Sequence, residues 1–189
     1  MLIDRKTGLL DIARYVPSPN HDLRPDGMQP ELIVIHNISL PPGEFGGDAI
    51  DRLFTNTLAP DEHPYYKSIA ELRVSAHLLI SRDGSVVQYV PFHLRAWHAG
   101  QSSFHGRAGC NDFSIGIELE GTDDMSYTSE QYTRLSKITV ALLNSYPTLK
   151  AENIAGHSDI APGRKTDPGP GFDWHYYKEM VNLYLSELK

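Results

Sequence analysis

Leu32-Ile33-Val34-Ile35-His36-Asn37 decides how the rest of the chain is read. A continuous apolar run of this length marks a strand buried on both faces. It stops abruptly at a histidine and an asparagine. Proteins of the α/β class place their sites at the ends of such central strands. The class, and a candidate ligand in His36, therefore follow from the same six residues. The alternative for His36 is a hydrogen-bonded core histidine.

Working outward, the second informative strand is Ser114-Ile115-Gly116-Ile117-Glu118-Leu119-Glu120. A period of two puts Ile115, Ile117 and Leu119 on one face and Ser114, Gly116, Glu118 and Glu120 on the other. A carboxylate inside a strand is costly unless it is paired or in use. Glu118 therefore reads as a general base, with a structural salt bridge as the alternative, and Gly116 leaves room above the sheet. Glu120, nearer the strand end, reads as a supporting or solvated carboxylate.

Between these strands, Val74 to Ile80 alternates, with Ser75 and His77 on one face. Arg82-Asp83-Gly84 is a hairpin turn signal, and Ser85 to Val90 returns as the partner strand. His77, in mid-strand, is expected to be structural and hydrogen-bonded. Asp48 is expected to cap a short helix carrying Ile50, Leu53 and Phe54. Residues 59–70 and 91–112 read as loops near the site, with Tyr65 a candidate lining residue. Trp97 either stacks on a sugar or packs a corner. Residues 1–30, with Pro17, Pro19, Pro25 and Pro30, read as an irregular lead-in.

Toward the C-terminus, Thr128 and Gln131 form a capping box for a helix that faces the core with Tyr132, Leu135, Ile138, Leu142 and Leu143. Asn153 to His157 reads as a short strand that ends in histidine, as the first does. The segment from Gly156 to Gly169 carries His157, Lys165 and Asp167, and its prolines and glycines argue against a regular helix or strand. Asp173 caps a last helix bearing Tyr177, Met180, Val181, Tyr184, Leu185 and Leu188. No repeat, low-complexity segment or linker interrupts the chain, so residues 1–189 are read as one domain.

Composition sets outer limits. The net charge of −7 gives no basic footprint of the kind that nucleic-acid binding requires. A single cysteine, Cys110, excludes an internal disulfide and a cysteine metal cage, and is expected to be a buried thiol. No run approaches the ~20 apolar residues of a membrane span. Met1 to Leu10 lacks the apolar core of a signal peptide, so the expected compartment is the cytoplasm.

Two strand-end histidines, His36 and His157, and one loop carboxylate, Asp167, make a candidate metal site. Three such ligands leave a fourth position for water, the arrangement of a catalytic rather than structural zinc. Glu118 would take the proton of that water and Lys165 would stabilise the oxyanion that forms. The same ligand types also suit non-haem iron, although an oxygenase requires neither the base nor the lysine. No Gly-x-Ser-x-Gly elbow supports serine hydrolysis.

His36-Asn37, Val74 to His77, Ala96 to Gly100, Asn111 to Glu120 and Gly156 to Gly169, in this order, resemble the type 2 N-acetylmuramoyl-L-alanine amidases, which share the fold of peptidoglycan-recognition proteins. These motifs cover about residues 30–175. The stretches from Ile35 to Gly43 and from Arg164 to Gly169 are most similar to the branch that cleaves 1,6-anhydro-muropeptides in cytoplasmic cell-wall recycling. The resemblance implies a central mixed sheet flanked by α-helices and a Zn2+ ion held by His36, His157 and Asp167. It implies catalytic roles for Glu118 and Lys165, and substrate contacts for Asn37, Arg73 and Trp97. Phage-type relatives carry a catalytic tyrosine where this chain has Ala76, and a cysteine ligand where it has Asp167. The expected reaction is cleavage of the amide between (1,6-anhydro-)N-acetylmuramic acid and L-alanine. The alternatives are action on polymeric peptidoglycan and non-catalytic muropeptide binding.

Overall fold

The computed structural model describes residues 1–187. At its centre lies a six-stranded mixed sheet. In chain order the strands are β1 (Arg14–Tyr15), β2 (Leu32–Ile38), β3 (Leu78–Ile80), β4 (Val86–Gln88), β5 (Ser114–Glu120) and β6 (Ile154–Gly156). In space they run β6-β2-β5-β3-β4-β1. The four strands from β6 to β3 are mutually parallel, β3 and β4 form an antiparallel hairpin, and β1 lies parallel to β4. The helices are α1 (Ala49–Phe54), α2 (Pro64–Ile69), α3 (Ser129–Ser145), α4 (His157–Ile160) and α5 (Trp174–Ser186).

Alternation along the central strands builds two different faces. Ile33 and Ile35 of β2, Ile115, Ile117 and Leu119 of β5, and Leu78 and Ile80 of β3 pack with Leu135, Ile138 and Leu142 of α3 and Tyr177 and Val181 of α5. Burying each such side chain is worth about 1.5–3 kcal/mol, and this layer is the main core. On the other face the apolar residues fall into two groups. Leu32 and Val34 join Phe113, Ala155 and Ile160. Leu79, Val87 and Tyr89 join Leu53 and Phe54 of α1 and Tyr66 of α2. His36 and Glu118 are buried on that face and belong to neither group. No helix among the described residues is long and apolar enough to cross a membrane.

The mixed sheet with flanking helices is the one expected. The capping box at Thr128 and Gln131 forms, and Asp173 accepts from the Tyr176 amide at 2.9 Å. Other expectations need correction. Asp48 occupies the N-cap position of α1 without bonding a backbone amide there, and pairs with Arg52 at 3.2 Å instead. Residues 59–70 include α2, begun by Pro64 at its first position, where the missing amide proton costs nothing. The lead-in supplies edge strand β1, a pair between Ile3–Asp4 and Leu9–Leu10, and His21–Leu23, which pairs with Leu94–Ala96. Strands of two or three residues carry too little periodicity to be read from sequence. Regular pairing in the Val74–Ile80 segment starts only at Leu78. His157 begins the single helical turn α4, in the stretch between Gly156 and Pro162 that lacks both proline and glycine. Leu188 lies outside the described residues.

Candidate active site

The β2–β5 register sets His36 directly beside Glu118. On the other side, β6 pairs with β2 through Gly156 and Ile35, which delivers His157, the next residue, to the same end of the sheet. Asp167 arrives from the loop after α4. The Ser158 amide donates to the Asp167 carbonyl at 2.9 Å, which ties the two halves of that loop together.

His36 Nδ1, His157 Nδ1 and Asp167 Oδ2 form a near-equilateral triangle with sides of 3.0, 3.0 and 3.1 Å. Ligand atoms about 2.0–2.1 Å from one tetrahedral ion would stand about 3.3 Å apart, close to what is seen. The donor chemistry also fits a cation. The Ala99 carbonyl, 3.1 Å from His157 Nε2, can only accept, so a proton on Nε2 is satisfied there and leaves Nδ1 free to present a lone pair to a cation. His36 is almost fully buried, and burial above all lowers its pKa to about 4, leaving the ring neutral at neutral pH. Asp167 is pushed up by burial, but hydrogen bonds and charge from His157 and His36 outweigh this and hold it below its ordinary value. A neutral imidazole and an anionic carboxylate are the protonation states that ligation requires.

The triangle lies in a cleft of about 350 Å³ that Glu118 and Lys165 also line. Glu118 is 9% exposed, and its Oε2 has no hydrogen-bond partner among the described residues. Burial first, and the Asp167 charge second, push its pKa well above the usual carboxylate range; Lys165 pulls the other way. Lys165 itself is exposed at the mouth. Leu53 and Phe54 of α1, and Tyr65 and Ile69 of α2, supply an apolar wall, with Leu40 and Pro42 beside them.

The substrate candidates divide. Trp97 lines the cleft, with its indole nitrogen buried and unpartnered among the described residues. Asn37 also lines it, but its Nδ2 is committed to Asp123 at 2.8 Å and to the Pro168 carbonyl at 3.2 Å. That amide therefore secures the loop bearing Asp167. Gly169, in the same loop, has φ +77°, and a Cβ there would lie 2.3 Å from the Asp123 Cα. Arg73 does not line the cleft: its guanidinium folds back onto the Ala70 and Leu72 carbonyls at 3.2 and 3.3 Å.

Among the neighbours, His98 and Arg164 carry signals too generic to read from sequence. Glu120 is neither solvated nor part of the triangle. It accepts from the Gly46 and Arg82 amides and so anchors the loop after β2 to the β3–β4 hairpin. His77 is the structural residue expected: Gly116 N donates to its Nδ1 at 3.0 Å, and buried Arg24 approaches its Nε2. His98 stands 2.9 Å from His36 Nε2 and 3.0 Å from the Ser114 hydroxyl. Arg164 donates to the Ala99 and Gln101 carbonyls at 2.6 and 2.7 Å.

Residues 26–170 match the family described as N-acetylmuramoyl-L-alanine amidase. This chain belongs to that family. Among curated members of the amidase family, it is 61% identical to the 1,6-anhydro-N-acetylmuramyl-L-alanine amidase AmpD of Salmonella typhimurium, over 97% of this chain and 96% of that one. The Escherichia coli protein of the same name is 60% identical over 96% and 98% of the two chains. A crystal structure of a selenomethionyl AmpD derivative superposes with a TM-score of 0.92 at 61% identity, covering 96% of this chain and 99% of that one. The amidase AmiD of E. coli, solved with anhydro-N-acetylmuramic acid-L-Ala-D-γ-Glu-L-Lys, is more distant. It is 28% identical with a TM-score of 0.58, covering 83% of this chain and 60% of that one.

Proposed function

We propose that this chain hydrolyses the amide bond between 1,6-anhydro-N-acetylmuramic acid and L-alanine in soluble muropeptides, using zinc held by His36, His157 and Asp167. The observation that carries the reading is the convergence of those three ligand atoms within 3.1 Å of one another, beside a buried carboxylate whose Oε2 has no hydrogen-bond partner among the described residues, in a chain that matches AmpD proteins along nearly its whole length. Zinc so held would supply Lewis acidity toward the scissile carbonyl and a water of lowered pKa.

The remaining chemistry belongs to the protein. Glu118 accepts the proton of the attacking water as its oxygen bonds to the carbonyl carbon. The raised proton affinity of its carboxyl then suits it to hand that proton to the alanine nitrogen as the C–N bond breaks. The products are a lactyl carboxylate and a peptide with a free amino terminus. Lys165 places a positive charge at the cleft where the oxyanion develops. Trp97 covers the sugar and Arg73, beyond the lining, is left for a stem-peptide carboxylate at the mouth. With these roles goes the cytoplasmic location that the resemblance implies, and action of residues 1–189 as one unit.

The test compares kcat/KM on a 1,6-anhydro-muramoyl peptide with peptide release from purified sacculi. Preference for the soluble compound is expected. Equal or better cleavage of sacculi would overturn the substrate assignment, and absence of free peptide from both would overturn the reaction.

A further inference from the structure

His98 sits outside the three ligands and the base, yet it touches the site more closely than any other residue not yet given a role. Its Nδ1 is 2.9 Å from His36 Nε2, and its own Nε2 is 3.0 Å from Ser114 Oγ. The rings of His36 and His98 meet edge to face, with centroids 5.0 Å apart. The sheet makes room for this arrangement. A Cβ on Gly116 would lie 2.4–2.6 Å from three atoms of the His98 ring. Only glycine there lets the imidazole lie down against β5.

The backbone of the same segment is pinned. Buried Asn111 accepts from the His98 amide at 3.1 Å and from the Ala99 amide at 2.8 Å through one oxygen. The Ala99 carbonyl in turn lies 3.1 Å from His157 Nε2, where it can accept a proton. Two consecutive residues thus face the outer nitrogens of both histidines. An imidazole that ligates through Nδ1 must carry its proton on Nε2, and that proton needs an acceptor in a buried place. For His157 the acceptor is the Ala99 carbonyl. For His36 the sole neighbour at Nε2 among the described residues is His98.

We propose that His98 is a positioning residue for the metal site. Seated over Gly116 and oriented by Ser114, it accepts the His36 Nε2 proton and turns the Nδ1 lone pair toward His157 and Asp167. The proposal rests on the reading of that trio as a zinc site. In the loaded state His36 Nε2–H donates to His98 Nδ1, and His98 Nε2–H donates to the Ser114 hydroxyl.

The test measures zinc affinity by competition with a chromophoric chelator in the full chain, alongside the proton spectrum of the zinc-loaded protein. His98→Leu, which fills similar space without an acceptor, should bind zinc about 10–100-fold more weakly and lose the downfield resonance of the hydrogen-bonded His36 Nε2 proton. His98→Asn, whose side-chain oxygen falls near the place of Nδ1, should recover most of both. Ser114→Ala removes only a hydroxyl and keeps the question open to test if His98→Leu does not fold. It should weaken zinc by a smaller factor in the same direction. Parent-like affinity and an unshifted resonance in His98→Leu, or in Ser114→Ala where the leucine variant does not fold, would overturn the role of His98 and leave the zinc site standing. A parent protein that binds no zinc would overturn both. A residue that merely touched substrate would move KM and leave zinc affinity where it was.

Discussion

The two faces of β5 do opposite work within seven residues. Ile115, Ile117 and Leu119 are fully buried against α3 and α5, and nothing polar interrupts them. Ser114, Gly116, Glu118 and Glu120 face the other way. Each serves the site differently: Ser114 bonds the His98 ring, Gly116 admits that ring, Glu118 enters the cleft and Glu120 ties down a cleft loop. Every side chain of the strand is buried, so burial alone does not distinguish the faces. What differs is whether the buried groups are satisfied. The apolar face of the strand carries no polar side chain, while the polar face holds a carboxyl oxygen with no partner among the described residues, beside three atoms that could ligate a metal ion. Stability and reactivity are thereby separated by a spacing of one residue.

Substitutions on the two faces should therefore fail differently. The largest effect is expected from His157→Ala, which should lose zinc and at least about 10³-fold in activity, since a metal Lewis acid is worth several kcal/mol. Full zinc occupancy in that variant, measured by atomic absorption, would break the ligand assignment. Glu118→Gln should keep zinc and lose about 10²–10⁴-fold in kcat. Its stability gives a second reading. The native carboxyl has a pKa raised above its ordinary 4.5, so its contribution to folding is greatest below that pH and is lost as pH rises through the raised value. In the metal-free protein, Glu118→Gln should thus melt higher than the parent at neutral pH, with the gap closing as pH falls toward 4.5.

Leu135→Ala tests the other face. It should cost about 2–5 kcal/mol of stability, measured by urea unfolding, with kcat per folded molecule unchanged. A fall in kcat would mean that the two faces are coupled. Lys165→Ala should spare zinc and slow kcat by about 10–100-fold, less than a buried oxyanion donor because the ammonium is exposed. If the change fell on KM alone, its charge would be serving binding rather than the transition state. Arg73→Ala, whose guanidinium folds onto its own backbone, should be the mildest, shifting KM by about 1 kcal/mol or less.

Much of this was open to sequence reasoning because it depends on local pattern. An uninterrupted apolar run at residues 32–35 and a two-residue period at 114–120 specify buried strands and their faces, since side-chain direction follows backbone geometry alone. The capping box at Thr128 and the cap at Asp173 are likewise properties of a few consecutive residues. The unusual position of Glu118, a carboxylate inside a strand, marked it before any neighbour was known.

Other features depend on approach between distant segments. His98 sits among small residues in an aperiodic stretch, and nothing near it in the chain announces His36, 62 residues away. Asn37 reads as a site residue from its place after His36, but Asp123 and Pro168 come close enough to occupy its amide. Arg73 has the charge for a carboxylate partner, and only the fold turns it back on the Ala70 carbonyl. Sequence by itself determined the faces of the central strands and marked His36 and Glu118 on them as candidates, because those follow from residue type and period. Tertiary structure alone decided which of them meet, because the β2–β5 register, the β6 pairing and the loop behind Asp167 are set by contacts between residues 80 to more than 130 positions apart.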